Sequence, residues 1–102
     1  MKLNIIIPVF NEKKTIVKLY KKVQRIKGYN KQIIIVDDGS TDGSREIIKK
    51  KILSKNVKFF FHKKNLGKGA AIKTALKSLN GDIVIIQDAD LEYNPNDYHR
   101  LL

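Results

Sequence analysis

The sequence predicts an α/β fold built on a doubly wound, mostly parallel sheet. Short runs rich in β-branched residues alternate along the chain with longer segments whose apolar residues recur at helical spacing. The short runs are apolar almost throughout, as in Ile33–Val36 and Ile83–Ile86, which is typical of parallel strands covered on both faces. Because parallel neighbours need crossover helices, the predicted order is β-α-β-α-β-α-β, followed by a short helix.

Eight elements follow in chain order from periodicity and end signals. The predicted strands are Leu3–Val9, Gln32–Val36, Val57–Phe61 and Asp82–Gln87. The predicted helices cover about Lys13–Lys27, Gly43–Leu53, Gly69–Leu79 and the segment from Asn96 onward. The strands are short and rich in isoleucine, valine and phenylalanine, whereas the helical segments are longer and carry lysine between their apolar positions.

Each of the first three helices has an apolar stripe and recognisable ends. The stripes comprise Ile16, Leu19, Tyr20, Val23 and Ile26 in the first helix, Ile47, Ile48 and Ile52 in the second, and Ile72, Ala75, Leu76 and Leu79 in the third. Gly28 ends the first helix, and Asn80-Gly81 ends the third. Ser40 or Asp42 is the expected N-cap of the second, and Asn94-Pro95 begins the last.

Length and composition indicate one globular domain. A chain of 102 residues supports a single modest core, and neither a linker nor a repeat divides it. It contains no run that could span a bilayer and nothing resembling a signal peptide. Zero cysteines exclude a disulfide framework, thiolate zinc sites and a catalytic thiol. These features fit a cytoplasmic protein.

The chain is strongly basic, with a net charge of +11, and its cations cluster. One cluster comprises Lys13, Lys14, Lys18, Lys21, Lys22, Arg25 and Lys27, and another comprises Lys49, Lys50 and Lys51. Such a field attracts nucleic acid, anionic lipid headgroups or phosphorylated substrates, whereas a solvated face in a lysine-rich sequence needs no partner. Nucleic acid is disfavoured, because the one aromatic–basic run of the kind that binds single strands, Phe59–Lys64, has an aromatic triplet that is interpreted as a strand.

Two acidic pairs follow apolar strands. Asp88 and Asp90 come after Ile83–Ile86, and strand alternation would point both carboxylates to the same side, where they repel. A divalent cation such as Mg²⁺ or Mn²⁺ removes that repulsion and prefers hard oxygen ligands. Asp37 and Asp38 end the second strand, where a binding role and a turn that caps the next helix are the alternatives.

Four loops leave the carboxyl ends of the strands, and we expect them to line one crevice. Glu12 either contributes to that crevice or only complements a helix dipole. Gly67-Lys68-Gly69 is not a Walker A sequence, and its glycines also suit close packing of a helix. Lys68 is a phosphate-binding candidate because helix N-termini bind anions. His62 and His99 lack partners at ligand spacing and are interpreted as structural.

Four motifs together resemble the family 2 glycosyltransferases of GT-A fold, a Rossmann-like nucleotide-binding architecture. They are Pro8-Val9-Phe10-Asn11-Glu12, Val36-Asp37-Asp38-Gly39-Ser40-Thr41-Asp42, Asn65-Leu66-Gly67-Lys68-Gly69 and Asp88-Ala89-Asp90-Leu91-Glu92. Each is weak alone, but jointly they are specific and span nearly the whole chain. The last two are most similar to the branch that uses polyprenyl-phosphate acceptors, as dolichol-phosphate mannosyltransferases do.

The resemblance implies metal-dependent transfer of a sugar from a nucleotide-diphospho-sugar, either a UDP- or a GDP-sugar, to an acceptor such as polyprenyl phosphate. The implied donor-binding residues are Pro8, Phe10, Glu12, Asp37, Asp38, Lys68 and Asp88. The implied ligands of Mg²⁺ or Mn²⁺ are Asp88, Asp90 and Glu92. Phe10 replaces a more usual tyrosine, so a hydroxyl contact to the nucleoside is lost.

The family's catalytic domain is longer than this chain, and its later half supplies the acceptor site and the general base. No residue here can be assigned as that base, so residues 1–102 are interpreted as one partial GT-A domain that binds the donor. The positive field would hold the complete enzyme peripherally on the inner face of a membrane. The alternatives are a non-catalytic nucleotide-binding or dimerisation module, a homo-oligomer formed through an unpaired sheet edge, and a charge-driven nucleic-acid-binding protein.

Overall fold

Four strands and three helices alternate in the computed structural model, which describes residues 2–52, 54–79 and 83–87. The elements are β1 (Lys2–Val9), α1 (Ile16–Gln24), β2 (Asn30–Asp38), α2 (Ser44–Lys51), β3 (Val57–His62), α3 (Lys68–Leu76) and β4 (Ile83–Ile86). The predicted βαβ order is confirmed over these residues. The helix predicted from Asn96 onward lies outside them. None of the described helices is long and apolar enough to cross a membrane.

The strands form one parallel sheet in the order β3-β2-β1-β4. β1 pairs with β2 from Lys2–Asn30 to Val9–Asp37, and it pairs with β4 only from Leu3–Ile83 to Ile6–Ile86. The chain moves outward from β1 through β2 to β3 and then returns to the other side of β1. The order therefore reverses between β1 and β4, and ligands of open α/β sheets bind at the carboxyl ends of the strands beside such a reversal.

One face of the sheet carries most of the core. Alternate residues of β1 and β2, among them Ile5, Ile7 and Ile35, are buried on this face together with the apolar stripe of α1. The members of this cluster are Leu3, Ile5, Ile7, Val9, Ile16, Leu19, Tyr20, Val23, Ile26, Ile33, Ile35, Ile48 and Ile52. The stripe predicted for α1 is thus confirmed in full. The predicted stripe of α2 is confirmed at Ile48 and Ile52, with Ile47 partly buried.

α3 covers the opposite face with much less burial. Its cluster contains Ile6, Ile34, Val36, Ala71 and Ala75, with Phe60 and Leu79 partly buried against it. The expectation that Leu76 faces the core was wrong, because this side chain is 47% exposed. α3 contacts the sheet through two alanines that lie one helical turn apart. Small residues allow the helix to approach the sheet closely, and the larger Leu76 lies on the side of the helix that faces solvent.

Several element ends differ from the predictions for identifiable reasons. α1 ends at Gln24, before Gly28, because the Lys31 ammonium donates hydrogen bonds to the carbonyl oxygens of Val23, Gln24 and Ile26. Neither Ser40 nor Asp42 is the N-cap of α2. Gly43 occupies that position with φ 97°, and Asp42 instead accepts hydrogen bonds from the first helical residue.

Candidate functional site

Three described loops meet at the carboxyl edge of the sheet. Loop 1 (residues 10–15) follows β1, loop 2 (residues 39–43) follows β2, and loop 3 (residues 63–67) follows β3. Because all of these strands are parallel, their loops leave the same edge. The three described loops thus leave one edge of the sheet, and the crevice expected from all four loops stays a prediction, because the loop after β4 lies outside the described residues.

Loops 1 and 2 are joined by side chain to backbone hydrogen bonds. The Asn11 amide oxygen accepts from the Thr41 N–H at 2.7 Å, and the Asn11 N–H donates to Ser40 Oγ at 2.9 Å. The next amide of loop 1, Glu12 N–H, donates to Ser44 Oγ at 3.0 Å. Asn11 has φ 53°, a left-handed conformation that asparagine tolerates better than most residues. These bonds fix the exit of β1 against the start of α2.

Loops 2 and 3 approach each other at a glycine. Gly39 has φ +75°, and a Cβ atom built on it would lie 2.4 Å from the carbonyl carbon of Lys64 and 2.5 Å from the Asn65 nitrogen. These neighbours are backbone atoms, so no side-chain rotation could relieve the overlap. Glycine at this position lets the two loops touch.

Asp38 anchors loop 3 through both of its carboxylate oxygens. Oδ1 accepts from the Leu66 N–H at 2.9 Å and lies 2.8 Å from His62 Nδ1, while Oδ2 accepts from the Gly67 N–H at 2.8 Å. A carboxylate only accepts, so His62 Nδ1 carries the shared proton. The other ring nitrogen of His62 lies 2.8 Å from Thr74 Oγ1 in α3. Asp38 therefore connects β2, β3, loop 3 and α3.

The ionisation of Asp38 reflects two opposing effects. Burial alone would raise its pKa, because the carboxylate loses water. Hydrogen bonds from His62, Leu66 and Gly67 favour the charged form and outweigh burial, so the pKa of Asp38 lies below its ordinary value. Asp38 is a carboxylate at neutral pH, and its negative charge is compensated inside the loop network.

Asp37 lies one residue earlier on the opposite face of β2 and is completely buried. Its Oδ2 atom lies 3.4 Å from Arg45 Nε and accepts from the Ser40 N–H at 3.2 Å. Its Oδ1 atom has no hydrogen-bond partner within the described residues. Arg45 also donates to the carbonyl of His62 at 2.6 Å and lies over the ring of Phe61. A buried acceptor without a donor is uncommon and often belongs to a functional site.

Pro8 lies near the end of β1, and Phe10 and Glu12 follow it in loop 1. Pro8 is buried and lies two residues after Ile6, whose carbonyl accepts from the Gln87 N–H at 2.8 Å. By strand alternation, Pro8 faces the same neighbouring strand and has no N–H to continue the pairing, which favours an opening between β1 and β4. Phe10 is 44% exposed. The Glu12 carboxylate accepts from the Thr15 hydroxyl at 3.0 Å.

The remaining predicted site residues are described only in part. Lys68 is the first residue of α3 and is exposed at the end of loop 3. Asp88, Asp90 and Glu92, predicted to bind the metal ion, lie outside the described residues, as does His99. Over residues 2–52, 54–79 and 83–87, no group of three or more acidic or histidine side chains could hold a metal ion. The metal site predicted at Asp88, Asp90 and Glu92 therefore stays a prediction.

Comparison with known proteins agrees with this arrangement. Residues 4–102 match the model of a family described as Glycosyl transferase family 2. The chain belongs to this family. Its doubly wound α/β fold agrees with that of solved glycosyltransferases, so the predicted resemblance and fold class are confirmed.

Curated relatives include transferases that act on lipid phosphates. The chain is 30% identical over 103 residues to a dolichol-phosphate mannosyltransferase of Pyrococcus furiosus, covering 100% of this chain and 29% of the relative. It is 34% identical over 104 residues to an undecaprenyl-phosphate 4-deoxy-4-formamido-L-arabinose transferase of Pseudomonas fluorescens, covering 97% of this chain and 30% of the relative. The chain therefore spans about three tenths of the length of these relatives.

Two solved structures show the same partial coverage. The mannosyltransferase PcManGT of Pyrobaculum calidifontis, in complex with GDP-Man and Mn²⁺, superposes with a TM-score of 0.78 at 26% identity, covering 86% of this chain and 27% of that one. S. aureus TarS 1-349 superposes with a TM-score of 0.80 at 29% identity, covering 99% of this chain and 31% of that one.

Sequence reasoning missed the residues that organise this edge. Asn11 was quoted within a motif without a role, and its left-handed turn position is typical of asparagine. His62 was interpreted as structural, and its contacts agree, but its link between Asp38 and Thr74 was not predicted. Asp38, His62 and Thr74 are too far apart in sequence for a local pattern to predict their contact.

Proposed function

We propose that this chain forms the donor-binding part of a metal-dependent glycosyltransferase, which transfers a sugar from a UDP- or GDP-sugar to an acceptor. The observation that carries the proposal is the joined set of loops at the carboxyl edge, beside the reversal of strand order between β1 and β4. Family membership and the GDP-Man complex of a structural neighbour support it.

In this proposal the donor nucleoside contacts Pro8, Phe10 and Glu12, and it also contacts Asp37. Exposed Phe10 offers an aromatic surface, whereas Asp37 Oδ1 is a buried acceptor, so its proposed contact with a base or ribose requires the surrounding loops to move. Asp38 belongs to the same site but acts mainly by holding loop 3, since its oxygens already accept three hydrogen bonds. Lys68, at the start of α3, is placed near the diphosphate.

Mg²⁺ or Mn²⁺ is the cofactor we propose, with Asp88, Asp90 and Glu92 as its ligands. These residues follow β4, which ends beside β1 at the edge that carries the loops. Three carboxylates suit either ion, and the Mn²⁺ in the PcManGT complex supports a divalent metal in this family. When bound, the metal would neutralise charge on the leaving nucleoside diphosphate.

The proposed acceptor is a polyprenyl phosphate, as the names of the curated relatives suggest. A phosphate acceptor is already ionised at neutral pH, so it needs a general base less than a hydroxyl would. A protein acting on such a lipid would work peripherally at a membrane, and we propose its inner, cytoplasmic face.

Titration calorimetry with UDP-glucose and GDP-mannose tests this function. We expect one of them to bind in the presence of Mn²⁺, and binding to weaken at least tenfold in EDTA or in the Asp90→Ala variant, because the diphosphate then loses its cation. The matched control is Asp97→Ala, which removes a carboxylate outside the predicted ligand set. Absence of donor binding to folded protein, or equal loss in both variants, would contradict the proposal.

A further inference from the structure

The outer face of α1 carries a basic surface that the proposed donor site does not use. It comprises Lys14, Lys18, Lys21, Lys22 and Arg25, and we name it the α1 basic surface. Lys21, Lys22 and Arg25 follow Lys18 by three, four and seven residues, which places them on one side of α1, and Lys14 precedes the helix in loop 1. Together with Val17 they line a shallow groove of about 440 Å³.

The charge of this surface is not neutralised within the described fold. No aspartate or glutamate occurs between Lys13 and Val36. Among the described residues, the Arg45–Asp37 ion pair and the His62–Asp38 hydrogen bond both lie at the carboxyl edge of the sheet. Like charges four residues apart, such as Lys18 and Lys22, weaken a helix, so the like charges of this surface destabilise α1 without an acidic residue on the helix to offset them.

Its position relates the basic surface to the donor site. α1 lies on the sheet face opposite α3, and its buried stripe leaves the basic side facing solvent. Lys14 lies in loop 1, two residues after Glu12, so the surface begins within loop 1 and extends along a helix about 14 Å long. A flat anionic layer that contacts α1 would therefore lie close to the carboxyl edge of the sheet.

We propose that the α1 basic surface docks this protein on an anionic lipid bilayer. The choice of a bilayer rests in part on the proposed function, because a polyprenyl-phosphate acceptor is held in a membrane. Four of the five cations are lysines, which act as point charges toward a layer of headgroups, whereas arginine would favour bidentate recognition of nucleic acid. The surface also lacks an exposed aromatic side chain on which a base could stack.

Vesicle cosedimentation of the full chain, without donor or metal, tests this proposal. At roughly 0.1 M NaCl the protein should sediment with vesicles containing phosphatidylglycerol but not with pure phosphatidylcholine, and roughly 1 M NaCl should release it. The variant Lys18→Gln/Lys21→Gln/Arg25→Gln should bind on the order of 100-fold more weakly, because each cation near an anionic surface contributes several-fold in affinity. Glutamine suits a helix, and circular dichroism checks the fold.

The matched control is Lys58→Gln/Lys73→Gln/Lys77→Gln, which removes the same charge from the opposite side of the sheet. These lysines are exposed and lie on β3, on α3 and directly after α3. This control should stay within about threefold of the unmodified chain, because its cations face away from the bilayer. Equal losses of vesicle binding in both variants would mean that binding depends only on net charge, which would overturn the proposal.

Two further outcomes would also overturn it. One is absence of binding to phosphatidylglycerol vesicles at the lower salt concentration. The other is tighter binding to a DNA or RNA duplex than to vesicles at the same salt, lost in the α1 variant, which would make the surface a nucleic-acid interface. Donor calorimetry without lipid reports separately on the proposed function, so failure of one proposal is distinguishable from failure of the other.

Discussion

The two faces of the sheet are covered to very different degrees. α1 and α2 cover a large apolar cluster that includes Ile5, Ile35 and Leu19, and these side chains are almost completely buried. On the other face α3 contributes only Ala71 and Ala75 to the buried cluster of the described residues, while Val84 and Ile86 of β4 are 40% and 43% exposed. The first face therefore supplies most of the hydrophobic stabilisation.

α3 is held in place mainly by polar contacts. Two buried alanines contribute little apolar area, so polar contacts must position this helix and loop 3 before it. Thr74 contacts His62, and His62 contacts Asp38, which also binds the Leu66 and Gly67 amides. Apolar burial holds α1 and α2 on their face of the sheet, whereas α3 depends more on hydrogen bonds.

The largest expected effect comes from matched isoleucine truncations on the two faces. Ile35→Ala should lower the free energy of unfolding by about 2–5 kcal/mol, because it opens a cavity in the complete core. Ile86→Ala should cost less than about 1 kcal/mol, since this side chain is already 43% exposed. Urea unfolding followed by circular dichroism measures both. Equal losses would show that the faces contribute alike.

A glycine pair tests the contact between loops 2 and 3. Gly39→Ala should destabilise the fold by about 3 kcal/mol or more, because left-handed strain is added to an overlap with the Lys64 backbone. Gly28→Ala is the control, as its φ is +91° but nothing lies within 4 Å of its Cβ position, and about 1–2 kcal/mol is expected. Similar losses in the two variants would argue against close approach of the loops.

Acid titration of stability tests the anchoring role of Asp38. The folded pKa of Asp38 is lowered, so its stabilisation is present above the unfolded value of about 3.9 and is lost as pH falls through the folded pKa. Asp38→Asn should cost about 1–3 kcal/mol at pH 7, and the difference from the unmodified chain should shrink below about pH 4. Glu46→Gln, on the exposed side of α2, removes the same charge and serves as control. A pH-independent difference would contradict the anchoring role.

The smallest expected effect is local. Thr74→Val removes the hydroxyl that contacts His62 and should cost about 1 kcal/mol. Hydrogen exchange should show faster exchange in α3 and at Leu66 and Gly67, with α1 unchanged, because the bond supports only the α3 side. Thr41→Val, in loop 2, is the comparison variant. Uniform acceleration of exchange across both faces would contradict a role of this bond in holding α3 alone.

The sequence predicted the sheet and the well-covered face better than the other face. The α1 stripe stands out because lysines separate its apolar positions, so only one side of the helix can be buried. α3 has apolar residues around more of its circumference, from Ala70 to Leu76, and periodicity could not choose between Ala71 and Leu76. Its orientation depends on packing against β2 and on the Thr74–His62 contact, which no local pattern encodes.

For the candidate site, the sequence placed acidic residues at strand ends but could not assign their contacts. Asp37 and Asp38 are adjacent and chemically identical, yet β2 extends through both, so they face opposite sides of the sheet. One then meets Arg45 and the other meets His62. This difference between the two side chains follows from the register of β2 with its neighbouring strand. The paired part of β2 extends two residues beyond the apolar run from which the strand was predicted.

The central claim is that the joined loops at the carboxyl edge bind a nucleotide-diphospho-sugar. Amide chemical-shift mapping of this 11.7 kDa chain with the donor and Mg²⁺ tests it most directly. We predict the largest shifts at Phe10–Glu12, Asp37–Ser40 and Leu66–Gly69, with the outer face of α1 unaffected. Shifts confined to the α1 basic surface, or none at saturating donor, would contradict the claim.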